Sequence, residues 1–151
     1  MLDPIIITIE VPCGKEKAFG VFVNEMTTWW PLDKRSMSLM SGGKPAKAVR
    51  VDAKQGGKIV EIADDGTEHH WGTIKSYDPH DSISMHFHMG LPPAESLVEV
   101  RFTALGDERT QVELTHSNWE AYGDMAEMMR GGYDSGWVII FEQAYKSACG
   151  G

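Results

Sequence analysis

At 151 residues, 42% hydrophobic and 24% charged, the chain has the size and composition of one soluble globular domain that can bury a core without staples. Its net charge of −8 gives no electrostatic basis for binding nucleic acid or an anionic membrane surface. Cys13 and Cys149 stand at opposite ends of the sequence and form no disulfide framework, so both are expected to be reduced thiols. The opening MLDPIIITIEV lacks the basic start of a secretory leader, and no apolar run nears the roughly 18 residues of a membrane span. A cytoplasmic protein, a monomer or weak homodimer, is the expectation.

Ile5 to Val11 is a β-branched run that reads as a strand, broken by Pro12-Cys13-Gly14. Lys15 to Met26 reads as a helix with Ala18, Phe19, Phe22 and Val23 on one face, and Trp29-Trp30-Pro31 stops helical structure. Residues 32–45 are polar and contain Gly, Ser and Met, the pattern of a mobile loop. Strands follow. Ala46 to Lys54 puts Val49 and Val51 on one face, and Lys58 to Ala63 comes next. Thr67 to Tyr77 puts Trp71, Thr73, Lys75 and Tyr77 on one face. Ser82 to Met89 sets Ile83, Met85, Phe87 and Met89 against Ser84, His86 and His88. Ser96 to Leu105 turns Val98, Val100, Phe102 and Ala104 inward, and Thr110 to Trp119 does the same with Val112, Leu114 and His116. Asp65-Gly66, Asp78-Pro79-His80-Asp81 and Gly106-Asp107 supply three hairpin turns. The result is an antiparallel meander with one apolar face to cover.

The cover is the end of the chain. Glu120 to Arg130 reads as a short helix carrying Met125, Met128 and Met129, ended by Gly131-Gly132. A final helix is expected to start near Asp134, with Tyr133, Trp137, Ile140, Phe141, Ala144 and Ala148 as its apolar stripe. Such a stripe belongs over the sheet.

Across nearly the whole chain an ordered set of residues carries a resemblance. It comprises Trp29-Trp30-Pro31, Gly56-Gly57 with Glu61, Asp65-Gly66, Trp71-Gly72, and Tyr77-Asp78-Pro79. It continues with Val98 to Phe102, Thr110 to Leu114 with His116 and Trp119, and Gly131 to Trp137. The chain resembles the START-like (SRPBCC, birch-pollen-allergen-like) superfamily, and within it the homologues of the activator of heat-shock protein 90 ATPase. The resemblance implies one α+β domain over residues 1–151 with the helix-grip fold. In that fold about seven antiparallel strands wrap around a long C-terminal helix, with two short helices after the first strand. It also implies a pocket between sheet and helix, with no fixed chemistry. The chain departs from the pattern at Phe87, where a tryptophan is expected, and at Asn118, where a glycine is.

The expected lining of that pocket is Trp30, Met37, Trp71, Met85, Phe87, His116, Trp119, Tyr133, Trp137 and Phe141, with Met89 beside them. Aromatic and methionine side chains suit a small apolar or aromatic molecule. His116 lies on the apolar parity of its strand, either orienting a ligand and acting as a base or simply buried and satisfied. If Tyr77 pairs with Ile83, His86 faces Ile74 and His88 faces Gly72, which gathers His70, His86 and His88 on one face. A solvated outer face is the plainer reading than a metal site, and no metal or cofactor is expected. Glu61 sits either at the cavity mouth or, more commonly for such a residue, in a cross-strand pair with Arg50 or Arg101. No phosphate loop, HExxH or GxSxG pattern occurs. Three functions are open. The leading one is a non-enzymatic ligand-binding domain. The others are a chaperone-associated cofactor, by the resemblance, and a polyketide cyclase- or aromatase-like enzyme with His116 as base.

Overall fold

The computed structural model describes residues 2–32, 44–87 and 96–150. Met37, His88 and Met89, and most of the loop expected over 32–45, lie outside them. Seven strands form one sheet: β1 (Ile5–Val11), β2 (Ala48–Val51), β3 (Lys58–Ile62), β4 (Glu68–Asp78), β5 (Ser82–Phe87), β6 (Ser96–Gly106) and β7 (Arg109–Ser117). All neighbours are antiparallel, in the order β1-β7-β6-β5-β4-β3-β2. Two short helices, α1 (Lys15–Asn24) and α2 (Met26–Trp29), follow β1. After a 3-10 turn at Trp119–Met125 the chain enters α3 (Ala126–Trp137), a π-helical stretch (Val138–Tyr145) and α4 (Lys146–Ala148). This is the α+β helix-grip fold, a curled sheet holding a long C-terminal helix. Among the described residues no helix is long and apolar enough to cross a membrane.

Period-two patterning places most of the sheet correctly. In β7, Thr110, Val112, Leu114 and His116 are buried, and in β6 so are Ser96, Val98, Val100 and Phe102. Ala104 is exposed, because β6 is open to solvent from Thr103 to the hairpin turn. The face assigned to β4 is corrected by two irregularities in its pairing, one opposite Ile59/Val60 and one between Ile74 and Ser76. Each bulge inserts an unpaired residue and reverses the alternation. Trp71 and Ile74 are therefore buried and Tyr77 packs on the core, while Thr73 pairs with His86 and Lys75 is exposed. Tyr77 does pair with Ile83, as expected. Beyond the bulge, however, His86 faces Thr73 and Phe87 faces Gly72, so the histidine register is off by one. Gly72 is required at this crossing: a Cβ there would stand 2.3 Å from the His86 carbonyl oxygen.

The C-terminal helix also differs from expectation. It begins at Ala126, just after Gly123 kinks the chain at φ 57°, ψ −127°, and it runs through Gly131-Gly132 without ending. A glycine inside a helix costs about 1 kcal/mol relative to alanine. Burial of the residues beyond it outweighs that cost. The buried stripe is Trp137, Ile140, Phe141, Tyr145 and Cys149; Ile140 is buried as expected, and the other four repeat every four residues, which suits the wider π turn, while Ala148 is exposed and Ala144 only partly covered. The cysteines, remote in sequence, come together: Cys149 lies beside Cys13 and Tyr145, both thiols are free and buried, and burial pushes the Cys149 thiol up to about 12.

One end of the core fastens α1 to the C-terminal helix through rings. Phe22 lies 5.4 Å from both Trp29 and Tyr145, Phe19 lies 5.2 Å from Phe102, and Phe141 stacks on Tyr145 at 5.5 Å. The Tyr145 hydroxyl donates to the Ala18 carbonyl at 2.7 Å, and the Trp29 indole donates to the Val21 carbonyl at 2.7 Å. Trp137 and Phe141 are 2% and 0% exposed. Replacing either with Ala should destabilise the protein by about 3–5 kcal/mol in urea unfolding. A wild-type midpoint for Trp137→Ala would mean that the helix does not close the sheet.

Candidate ligand site

A second group of rings fills the other end of the grip. Trp30, after α2, meets Trp71 of β4 at 4.7 Å and Trp137 of α3 at 5.9 Å. Phe87, at the end of β5, lies 6.3 Å from Trp71, 6.2 Å from Trp137 and 6.1 Å from Tyr133. His116, on β7, stands 4.6 Å from Tyr133 and 4.2 Å from Trp119. Seven of the ten residues expected to line a site thus form one continuous layer. Met85 is buried nearby, cross-strand from Ile74 and Val98. Phe141 lies one turn further along the helix, in the Tyr145 cluster.

The layer holds polar groups as well. Trp137 Nε1 donates to His116 Nδ1 at 3.1 Å. An indole nitrogen can only donate, so Nδ1 accepts and the neutral imidazole carries its proton on Nε2. Nε2 then donates to Ser96 Oγ at 2.8 Å, and the Ser96 hydroxyl donates to the Phe87 carbonyl at 2.5 Å. Tyr122 lies within 3.3 Å of Ser96 Oγ, and burial, reinforced by the neighbouring Tyr122, holds the Tyr133 phenol protonated. Burial alone lowers the His116 pKa from 6.5 to about 3. Of the two readings open for His116, the geometry matches the satisfied core histidine.

Glu61 is not in the cross-strand pair expected for it. It is fully buried and accepts a 3.0 Å hydrogen bond from Trp71 Nε1, while Arg50 pairs with Glu68 and Arg101 with Glu99. Ser96 and Tyr122 were not among the sequence candidates. Ser96 is in phase with Val98, Val100 and Phe102, a usable signal; Tyr122 offers none, because a 3-10 turn has no such period. On the outer sheet face, Lys75, His86, Leu97, Ser117 and Glu120 border an open groove of about 420 Å³. His70 Nε2 lies 2.8 Å from the Gly72 carbonyl, and among the described residues no group of three His, Cys, Asp or Glu could hold a metal.

Residues 15–143 match the family described as Activator of Hsp90 ATPase homolog 1-like protein. No curated protein matches the chain. Among solved structures, the chain is similar to CalC, a self-sacrificing resistance protein from Micromonospora echinospora. The two share 25% identity and a TM-score of 0.71, over 97% of this chain and 94% of the other. It is similar to Txn09, an anthrahydroquino-gamma-pyrone synthase in complex with SUM, at 28% identity and TM-score 0.62 over 88% of each chain. The Hsp90 activator PFC0360w of Plasmodium falciparum, at 22% identity and TM-score 0.58 over 89% of each chain, shares the fold.

Because the folded His116 titrates near 3 and an unfolded one near 6.5, its linkage to stability has a definite sign. Above about pH 6.5 both states are neutral at this group and it contributes no pH dependence. Below that the unfolded chain takes up the proton and the native one does not, so stability falls by up to about 1.4 kcal/mol per pH unit until pH nears 3. Urea unfolding of wild type and His116→Gln between pH 7 and 4.5 should show a shallower loss in the variant. Parallel curves would contradict a neutral, buried imidazole.

Proposed function

The chain belongs to the family of Activator of Hsp90 ATPase homolog 1-like proteins, and we propose that within it this protein is a binding domain that encloses a small apolar or aromatic molecule between sheet and C-terminal helix. The observation that carries this reading is the ring layer itself. Six separate parts of the chain bring Trp30, Trp71, Phe87, His116, Trp119, Tyr133 and Trp137 into one patch, with buried polar groups set among them. An aromatic surface with a few fixed polar atoms is how proteins grip flat ligands. The two relatives at 25% and 28% identity add support, one being a resistance protein and the other a synthase held with SUM.

Binding is favoured over catalysis by the state of His116. Both ring nitrogens are already engaged, and a base whose pKa is near 3 abstracts protons poorly at neutral pH. A cyclase-like reaction using His116 would first have to break its bond with Trp137. The family description favours a second reading, a chaperone-associated cofactor, whose partner would need an exposed surface rather than this interior.

Titrating the protein with a hydrophobic fluorescent dye should give saturable, one-to-one binding. Phe87→Trp, by filling space at the centre of the layer, should weaken it at least several-fold. Absence of saturable binding, or identical affinity in the variant, would refute an interior site. Stimulation of an Hsp90 ATPase without dye binding would favour the chaperone reading.

A further inference from the structure

We infer that the ligand of this site presents a hydrogen-bond acceptor, a carbonyl oxygen on an aromatic ring system, to the indole N–H of Trp119. The inference rests on the reading of the ring layer as a ligand site and assigns that site its polar contact.

Among the described residues, only two buried side-chain polar atoms lack a hydrogen-bond partner: His86 Nδ1 and Trp119 Nε1. His86 borders the outer groove, on the far side of the sheet from the ring layer. Trp119 is 1% exposed and lies within the layer. Its ring cannot readily turn to find a partner. His116 packs at 4.2 Å, Tyr133 at 5.8 Å, and Tyr122 stacks at 6.2 Å with an interplanar angle of 26°. An orphaned buried donor carries its full desolvation cost, so native proteins rarely leave one without a purpose.

The chemistry of the missing partner follows from what the neighbours already do. An indole N–H donates and cannot accept, so the partner must be an acceptor. His116 Nδ1 is occupied by Trp137, and the His116 Nε2 proton by Ser96. The Ser96 proton goes to the Phe87 carbonyl. A ligand hydroxyl could accept from Trp119, but its own proton would then compete for acceptors that are already used. A carbonyl oxygen brings no such proton. A buried water has the same difficulty, since it needs two to four polar partners. Flat walls of His116, Tyr133 and Tyr122 around the indole suit a carbonyl held on a planar ring, as in an aromatic ketone or a quinone.

Two probes of matched shape and charge separate this contact from simple apolar binding: anthraquinone-2-sulfonate and anthracene-2-sulfonate. Isothermal titration of the wild-type protein should show the quinone binding about two- to twelvefold tighter, the range of one net hydrogen bond. Trp119→Phe should lose that preference by weakening the quinone alone. In ¹⁵N-labelled wild type, the Trp119 indole N–H resonance should move downfield with the quinone and not with the hydrocarbon, a readout independent of how the variant folds. Equal affinity for both probes, a preference retained in Trp119→Phe, or an unmoved indole resonance would overturn the inference and leave the ligand site standing. If neither probe bound, the ligand site itself would fall, and the inference with it.

Discussion

The hydrogen bond between Trp137 and His116 joins the C-terminal helix to the last long strand at the centre of the domain. It fixes the rotation of the helix, because the indole can reach Nδ1 only when its ring lies in the layer. It fixes the imidazole tautomer as well, and through Nε2 the orientation of Ser96 and the carbonyl at the end of β5. Four elements therefore share one chain of donors and acceptors. Buried polar networks of this kind specify a single arrangement, since any partial version leaves a group unsatisfied. The apolar contacts around it supply most of the stability; the network supplies the register.

That division explains the character of the site. The polar atoms in it are nearly all committed to one another. What they leave facing the interior is a rigid frame of rings rather than reactive groups. Few donors there remain open, and His116 stays uncharged throughout the physiological range.

Much of this was legible in the sequence, and the failures have common causes. The meander, the turns, the two helices after β1 and the apolar parity of His116 all follow from period two and from turn chemistry. Where a strand carries a bulge, the period restarts, and Thr73 and Lys75 fall on the unexpected face of β4. In the last helix the π stretch stretches the repeat, so Tyr145 and Cys149 take inward positions that a 3.6-residue wheel assigned to Ala144 and Ala148. Gly131-Gly132 reads as a stop on local propensity alone; the packing of Trp137 and Phe141 beyond it carries the helix through. For Glu61 a cross-strand pair is the commoner expectation for a charge in a strand; its burial beside the Trp71 indole, ten residues on, depends on side-chain placement that the pattern does not encode. Ring-to-ring contacts such as Trp30 with Trp71 depend on side-chain placement across distant elements, which no periodicity encodes.

The strand order also dictates how the molecule can assemble. From β2 to β5 each strand meets its chain neighbour through a short connection, and β6 and β7 are joined by a tight turn. The exception is β1, whose Ile5 pairs with His116 across more than a hundred intervening residues. Closing so long a loop carries a large entropic cost that the local hairpins avoid. The hairpins can gain their contacts early, whereas the first strand has no edge to join until β7 is in place. The residue at that late-formed seam is His116, so the strand that completes the sheet and the imidazole that anchors the helix are brought to order at the same position in the chain.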